Sequence, residues 1–272
     1  MSSESPKGKL KPLPSMRSTI ALRYNRVVSG VVEGAGVALA YEEAGPADGP
    51  AAVLVHDMAA DALTWAPVTE RLEGRVIAYD RRGYGGSSAP EPYRATTISE
   101  QAEDLAALVA GLDAAPALLA GEGIGALTVL DVLRRHPAAA RGAVLVDPPL
   151  FAFVPEATQK LSAQRAELED AVRAGGPGEA VARWLGPAAD FGRVGRARGN
   201  AGAFFADLGG LATLALTRAE LRMIAAPVVV LTGPATAPAV RLAADRVVGL
   251  LAAGTRAEDG DVVAALSALA AR

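Results

Sequence analysis

Leu118-Leu119-Ala120-Gly121-Glu122-Gly123-Ile124-Gly125-Ala126-Leu127-Thr128-Val129-Leu130 is the stretch on which the fold turns. It opens inside a short apolar run, Pro116 to Ala120, crosses a glycine-rich turn, and continues into Ile124 to Arg135, where apolar residues recur at helical spacing. A short apolar run bounded by glycine suits a strand covered on both faces. A strand fed through a tight turn into a helix is one half of a βαβ unit.

The same alternation extends in both directions. Upstream, Val27 to Tyr41 alternates in the manner of two antiparallel strands around the Gly34–Gly36 turn. Ala51 to His56 is a second doubly covered strand, Leu63 to Leu72 a helix and Arg75 to Asp80 a strand. Arg81 to Pro92 is a loop, and Ile98 to Leu112 a helix with Ser99 as its cap. Downstream, Ala143 to Asp147 is a strand, and Phe151 to Arg222 is mainly helical with a loop-rich stretch from Gly186 to Gly202. Pro227 to Thr232 resumes as a strand, Arg246 to Leu250 reads as the last strand, and Gly260 to Ala271 as the last helix. The expected architecture is α/β: a mostly parallel twisted sheet with helices on both faces and an inserted helical cap. The expected divisions are a disordered tail (1–24), a core (25–150), a cap (151–222) and the rest of the core (223–272).

Composition narrows the chemistry. The chain has 272 residues, about half of them hydrophobic (51%), enough for one large core. A net charge of -3 gives no argument for nucleic acid. With no cysteine, disulfides and thiolate chemistry are excluded, and two histidines, His56 and His136, make a poor basis for a metal site. No cofactor is implied. No apolar run is long enough to span a membrane, and Met1 to Ser18 lacks the apolar core of a secretory signal. That segment reads as a tail or as sequence upstream of a start at Met16. A cytoplasmic location is the expectation.

The segment Asp80-Arg81-Arg82-Gly83-Tyr84-Gly85-Gly86-Ser87 resembles the D-x-R-G-x-G-x-S loop of the α/β-hydrolase superfamily, in the branch of esterases, enol-lactone hydrolases, epoxide hydrolases and cofactor-free haloperoxidases. Ala51–His56 resembles the strand before that family's oxyanion loop, Trp65 stands where the family often has an aromatic residue, and Leu118 to Leu130 resembles its nucleophile elbow. The resemblance runs from about Val27 to the end and implies the fold. Fold alone does not imply a reaction.

Set against the family pattern, the catalytic positions are altered. The elbow G-x-nucleophile-x-G reads Gly121-Glu122-Gly123-Ile124-Gly125, so the nucleophile's place holds Gly123, which has no side chain to attack with. The loop after the last strand, where the family has its histidine, aligns on Ala253-Gly254-Thr255, which puts Thr255 at the histidine position. The loop Gly233 to Ala237, where the acid is usual, has none; Asp147 matches an alternative acid position and equally suits a structural turn at Asp147-Pro148-Pro149. The oxyanion loop, H-G in the family, reads His56-Asp57-Met58. The amides of Met58 and Ile124 would form the donor pair. Asp57 blocks that site if it points inward and is harmless if it points outward. His56 is expected to brace its loop by hydrogen bonds, and His136 to favour a helix C-terminus.

Asp57, Glu122 and Asp147 all fall at the C-terminal ends of strands, where open α/β sheets bind ligands. They are candidates for acid–base work; Glu122 is otherwise a solvated residue at a helix N-terminus. Phe151, Phe153 and Trp184 line an apolar pocket or fill the core of the cap. Three readings follow: a non-hydrolytic binder of a small apolar ligand or partner; a lyase, isomerase or cyclase using the carboxylates; or an ordinary hydrolase whose triad lies elsewhere, with Ser87 and Ser162 as poor replacements because neither sits on an elbow.

Overall fold

The computed structural model describes residues 27–47, 51–155 and 157–272. The expected tail and the start at Met16 lie outside these residues. The described chain forms an eight-stranded sheet in the order β1-β2-β4-β3-β5-β6-β7-β8. Its strands are β1 (Val28–Glu33), β2 (Ala38–Ala44), β3 (Ala51–Val55), β4 (Arg75–Tyr79), β5 (Ala117–Glu122), β6 (Ala140–Val146), β7 (Val228–Leu231) and β8 (Gly254–Ala257). β1, β2 and β4 pair antiparallel, and β4, β3, β5, β6, β7 and β8 run parallel.

The helices of the first half are α1 (Ala66–Thr69), α2 (Ile98–Gly111) and α3 (Ile124–Arg135). Between β6 and β7 come α4 (Ala157–Gly175), α5 (Pro177–Leu185), α6 (Phe191–Gly199), α7 (Ala201–Gly210) and α8 (Arg218–Met223). α9 (Pro238–Leu250) and α10 (Val262–Ala270) follow.

Successive residues of a strand face opposite sides of its sheet, and the core divides accordingly. Val53, Val55, Leu119 and Leu145 face α2, α3 and α9, while Leu54, Leu118, Ala120 and Val144 face Trp65 and α10. β3 is buried along its whole length, as its uninterrupted apolar run requires.

Four local expectations are corrected. Arg246 to Leu250 is the end of α9, not a strand. Buried Ala243, Ala244 and Val247 recur at helical spacing and Pro238 stands at the helix start, so periodicity outweighs the β-branched Val247-Val248 pair. A parallel β7–β8 pair also needs a crossover, and α9 supplies it. The stretch from Gly186 to Gly202 contains α6 and the start of α7. Asp190 caps α6 by accepting from the Arg193 amide, and Arg196 and Arg198 pair with Asp61 and Glu179, which offsets its glycines. The cap of α2 is Thr97, in a reciprocal box with Glu100, while the Ser99 hydroxyl donates to Asp131. Helix Leu63 to Leu72 shrinks to a 3₁₀ turn and α1.

Candidate active site

β5 delivers the chain into α3 through Gly123, whose backbone (φ 55°, ψ -119°) lies in a region that side chains disfavour. Gly121 and Gly125 pack against backbone on either side, with no room for a Cβ on either. The turn therefore has the tight geometry that the sequence implied, with no nucleophile on it.

The space beside Gly123 is filled. Asp57, at the end of β3, turns its side chain inward, and its Oδ1 accepts from the Ile124 amide at 2.9 Å. A Cβ placed on Gly123 would overlap all three atoms of this carboxylate. The inward alternative for Asp57 is the observed one. Its carboxylate occupies one of the two expected oxyanion donors and the nucleophile's volume together. Burial pushes the Asp57 carboxyl up, opposed by the amides of Ile124 and Met58 and by the charge of Arg81.

A buried network fixes the Asp57 loop. The Arg81 amide donates to His56 Nε2 at 3.0 Å, so His56 carries its proton on Nδ1, 2.7 Å from the Asp57 carbonyl oxygen. Burial and the Arg81 charge hold the His56 pKa well below its ordinary value. His56 is thus a neutral brace, as expected. Arg81 is itself buried and donates to the carbonyl oxygens of His56 (2.9 Å) and Asp57 (3.2 Å), to Gln101, and to Asp207 on α7 at 2.7 Å. Tyr84 and Gln101 donate to the same Asp207 carboxylate. The loop Asp80 to Ser87 therefore ties the inserted helices to the sheet. Ser87 accepts from the Ala40 amide and donates to the Asp80 carbonyl, which commits its hydroxyl to the loop.

Above Asp57 lies a cavity of about 250 Å³. Its floor carries Asp57, Glu122 and Asp147, so the three strand-end acids do converge. Phe151 and Pro149 line it, together with one face of α4: Leu161, Gln164, Arg165 and Leu168. Trp184 of α5, Leu208 of α7, Leu211 and Val240 complete the wall. The α4 face was missed from sequence, although its i, i+3, i+4, i+7 spacing is the ordinary signature of one helix face.

Asp147 has a positive φ of 48°, uncommon for a non-glycine residue. It accepts from the Thr236 hydroxyl at 2.7 Å, and Thr236 in turn accepts from the Gly233 amide at 2.8 Å. Burial raises the Asp147 pKa, opposed by Thr236, Arg241 and Arg256. Glu122 accepts no hydrogen bond among the described residues. Burial raises it to about 7, with the charge of Asp57 and then of Asp147 adding and that of Arg193 opposing. It stands half-buried on the cavity floor, with its carboxylate open to the cavity.

Other expected site residues lie elsewhere. Trp65 is buried on the opposite face of the sheet beside α10, because Leu54 and Ala78 point that way. Phe153 packs on the main core and does not line the cavity. Thr255 is not in a loop after the last strand but inside β8, exposed and in register with Val229. The loop that does follow β8 reads Glu258-Asp259-Gly260-Asp261, still without histidine, and Asp261 caps α10 through the amides of Val263 and Ala264. His136 ends α3, with Nε2 3.1 Å from Glu103. About 18 Å of helix separates it from the elbow.

A parallel sheet with a strand–turn–helix elbow and a ligand-sized cavity over its strand ends defines the class. The chain matches the alpha/beta hydrolase family over residues 52–268 and belongs to that family. Probable oxidoreductase EphD of Mycobacterium tuberculosis is 35% identical over 109 residues, which is 39% of this chain and 18% of that protein. Epoxide hydrolase A of Mycobacterium tuberculosis is 34% identical over 109 residues, 39% of this chain and 34% of that one. The match therefore spans about a fifth to a third of these relatives. The crystal structure of epoxide hydrolase A from Mycobacterium thermoresistibile is similar with a TM-score of 0.66 at 20% identity, covering 89% of this chain and 98% of that one. That likeness concerns the fold.

Proposed function

We propose that this chain is a non-hydrolytic member of its family that binds a small, largely apolar ligand beneath its inserted helices. The observation that carries the reading is the Asp57 carboxylate on the Ile124 amide, in the space a Gly123 side chain would need. An acyl substrate finds no nucleophile there, and a carboxylate sits where its carbonyl oxygen would seek donors. No histidine is at hand to act as base. The apolar part of the cavity wall, Phe151, Leu161, Leu168 and Trp184, favours a ligand with an apolar body. The test is a panel of activated esters with a fluorophosphonate probe read by intact mass. The reading expects no turnover and no adduct, and a labelled serine overturns it.

One observation favours a second reading. A carboxyl raised to about 7 and facing a cavity is half-protonated near neutral pH, as a general acid–base requires. In that case Glu122 moves a proton on a small hydrophobic substrate, and Glu122→Gln abolishes turnover. Turnover that persists in Glu122→Gln removes this reading.

A further inference from the structure

The cavity pairs an apolar wall with a floor of like charges, and one of those charges has no partner. Asp57 has the Ile124 amide, and Asp147 has the Thr236 hydroxyl. Glu122 has neither, though it is half-buried, lines the cavity and is repelled by both other acids. Three of the nearby arginines are engaged elsewhere. Arg165 pairs with Glu169 at 3.1 Å on its own helix. Arg241 donates to the carbonyls of Gly233, Pro234 and Thr236, and Arg256 pairs with Asp245. Arg193 acts on Glu122 only through its field, with no ion pair between them among the described residues, and its own Nε is buried without a hydrogen-bond partner there. Although Arg165 lines the same cavity, no positive hydrogen-bond donor touches Glu122 among the described residues. The acids do not form a group that could hold a metal ion among the described residues, so an organic cation fits better than a bare one.

We infer that the cavity takes a small amphipathic amine, its ammonium group against Glu122 and its apolar body against Phe151, Leu161, Leu168 and Trp184. A primary ammonium has three donors, enough to answer Glu122 and the free oxygens of its two neighbours. The apolar body gains from leaving water, and the charge is desolvated only where opposite charges meet it. A cavity of about 250 Å³ suits a body of one ring or a short chain. Binding selects the ionised Glu122, so affinity rises with pH through about 7. The charged groups bearing on that carboxyl are Asp57, Asp147 and Arg193, with Arg165 on the same cavity.

This inference rests on the reading that the cavity binds without hydrolysing, and the experiment separates the two. Isothermal titration of the full chain compares 2-phenylethylamine, 2-phenylethanol and phenylacetate, with Glu122→Gln as the variant. The expected result is that the amine binds at least about tenfold more tightly than the alcohol, that phenylacetate does not bind, and that Glu122→Gln removes the amine's advantage while sparing the alcohol. Thermal melts confirm that the variant is folded, and Asp147→Asn is a second variant expected to weaken the amine alone. Equal binding of amine and alcohol, or an amine indifferent to Glu122→Gln, overturns the amine and leaves the binder standing. No binding by any probe overturns the amine as well. Esterolysis or a serine adduct in the wild type overturns the underlying reading instead.

Discussion

Replacing Glu122 with glutamine should stabilise the protein, and the gain should appear only as pH rises. The Glu122 carboxyl is raised from 4.5 to about 7 by burial and by the charges of Asp57 and Asp147. Below the unfolded value both states carry the proton and no difference arises. Between 4.5 and about 7 the folded state holds a proton that the unfolded state has released, so stability falls as pH rises through this window. Above it the folded protein carries the full penalty, roughly 3 kcal/mol from a shift of this size. Glutamine is neutral throughout. The variant should match the wild type near pH 4.5 and exceed it at pH 8 by roughly 3 kcal/mol in urea titrations, or about 6–12 °C in melting temperature for a chain of this size. A stability difference that stays flat from pH 4.5 to 8, or a less stable variant at pH 8, would refute the reasoning about the cavity floor.

Asp207→Asn leaves the buried Arg81 guanidinium without its counter-charge and should cost about 3–5 kcal/mol in chemical denaturation; a loss below about 1 kcal/mol would show that Asp57 or water takes over the charge. Thr236→Val removes a donor to Asp147 and an acceptor for the Gly233 amide. It should cost about 1–3 kcal/mol and raise the Asp147 carboxyl further, which a carbon-detected NMR titration of that side chain would follow; an unmoved titration contradicts the assignment.

How much of this was legible in the sequence depends on the range of the forces involved. β3 and β5 were readable because a strand covered on both faces must be apolar throughout. α3 was readable from Ile124 to Arg135 because glycine precedes it, basic residues close it, and Pro137 follows. α9 was misread where two valines met a local preference that the helical spacing of Ala243, Ala244 and Val247 overrides. Misplacing that strand moved Thr255 onto the histidine's place, although the true loop, Glu258 to Asp261, has no histidine either. Gly123 was visible at once. What fills its space was not, because the direction of Asp57 is set by Arg81, His56 and the α3 amide, which meet only in three dimensions. Asp207 gave no signal at all: 126 residues separate it from Arg81.

The shared volume of Asp57 and Gly123 is open to a direct measurement, a double-mutant cycle of Asp57→Gly and Gly123→Ser read by equilibrium unfolding. Serine at 123 meets backbone strain of about 1–3 kcal/mol at positive φ and also displaces the Asp57 carboxylate from the Ile124 amide, a charged hydrogen bond of about 1.5–3 kcal/mol. Gly123→Ser should therefore cost roughly 3–5 kcal/mol in the wild type and only the strain once Asp57 is glycine, a coupling of about 2 kcal/mol. Additive costs, or a Gly123→Ser variant as stable as the wild type, would contradict a nucleophile position occupied by Asp57.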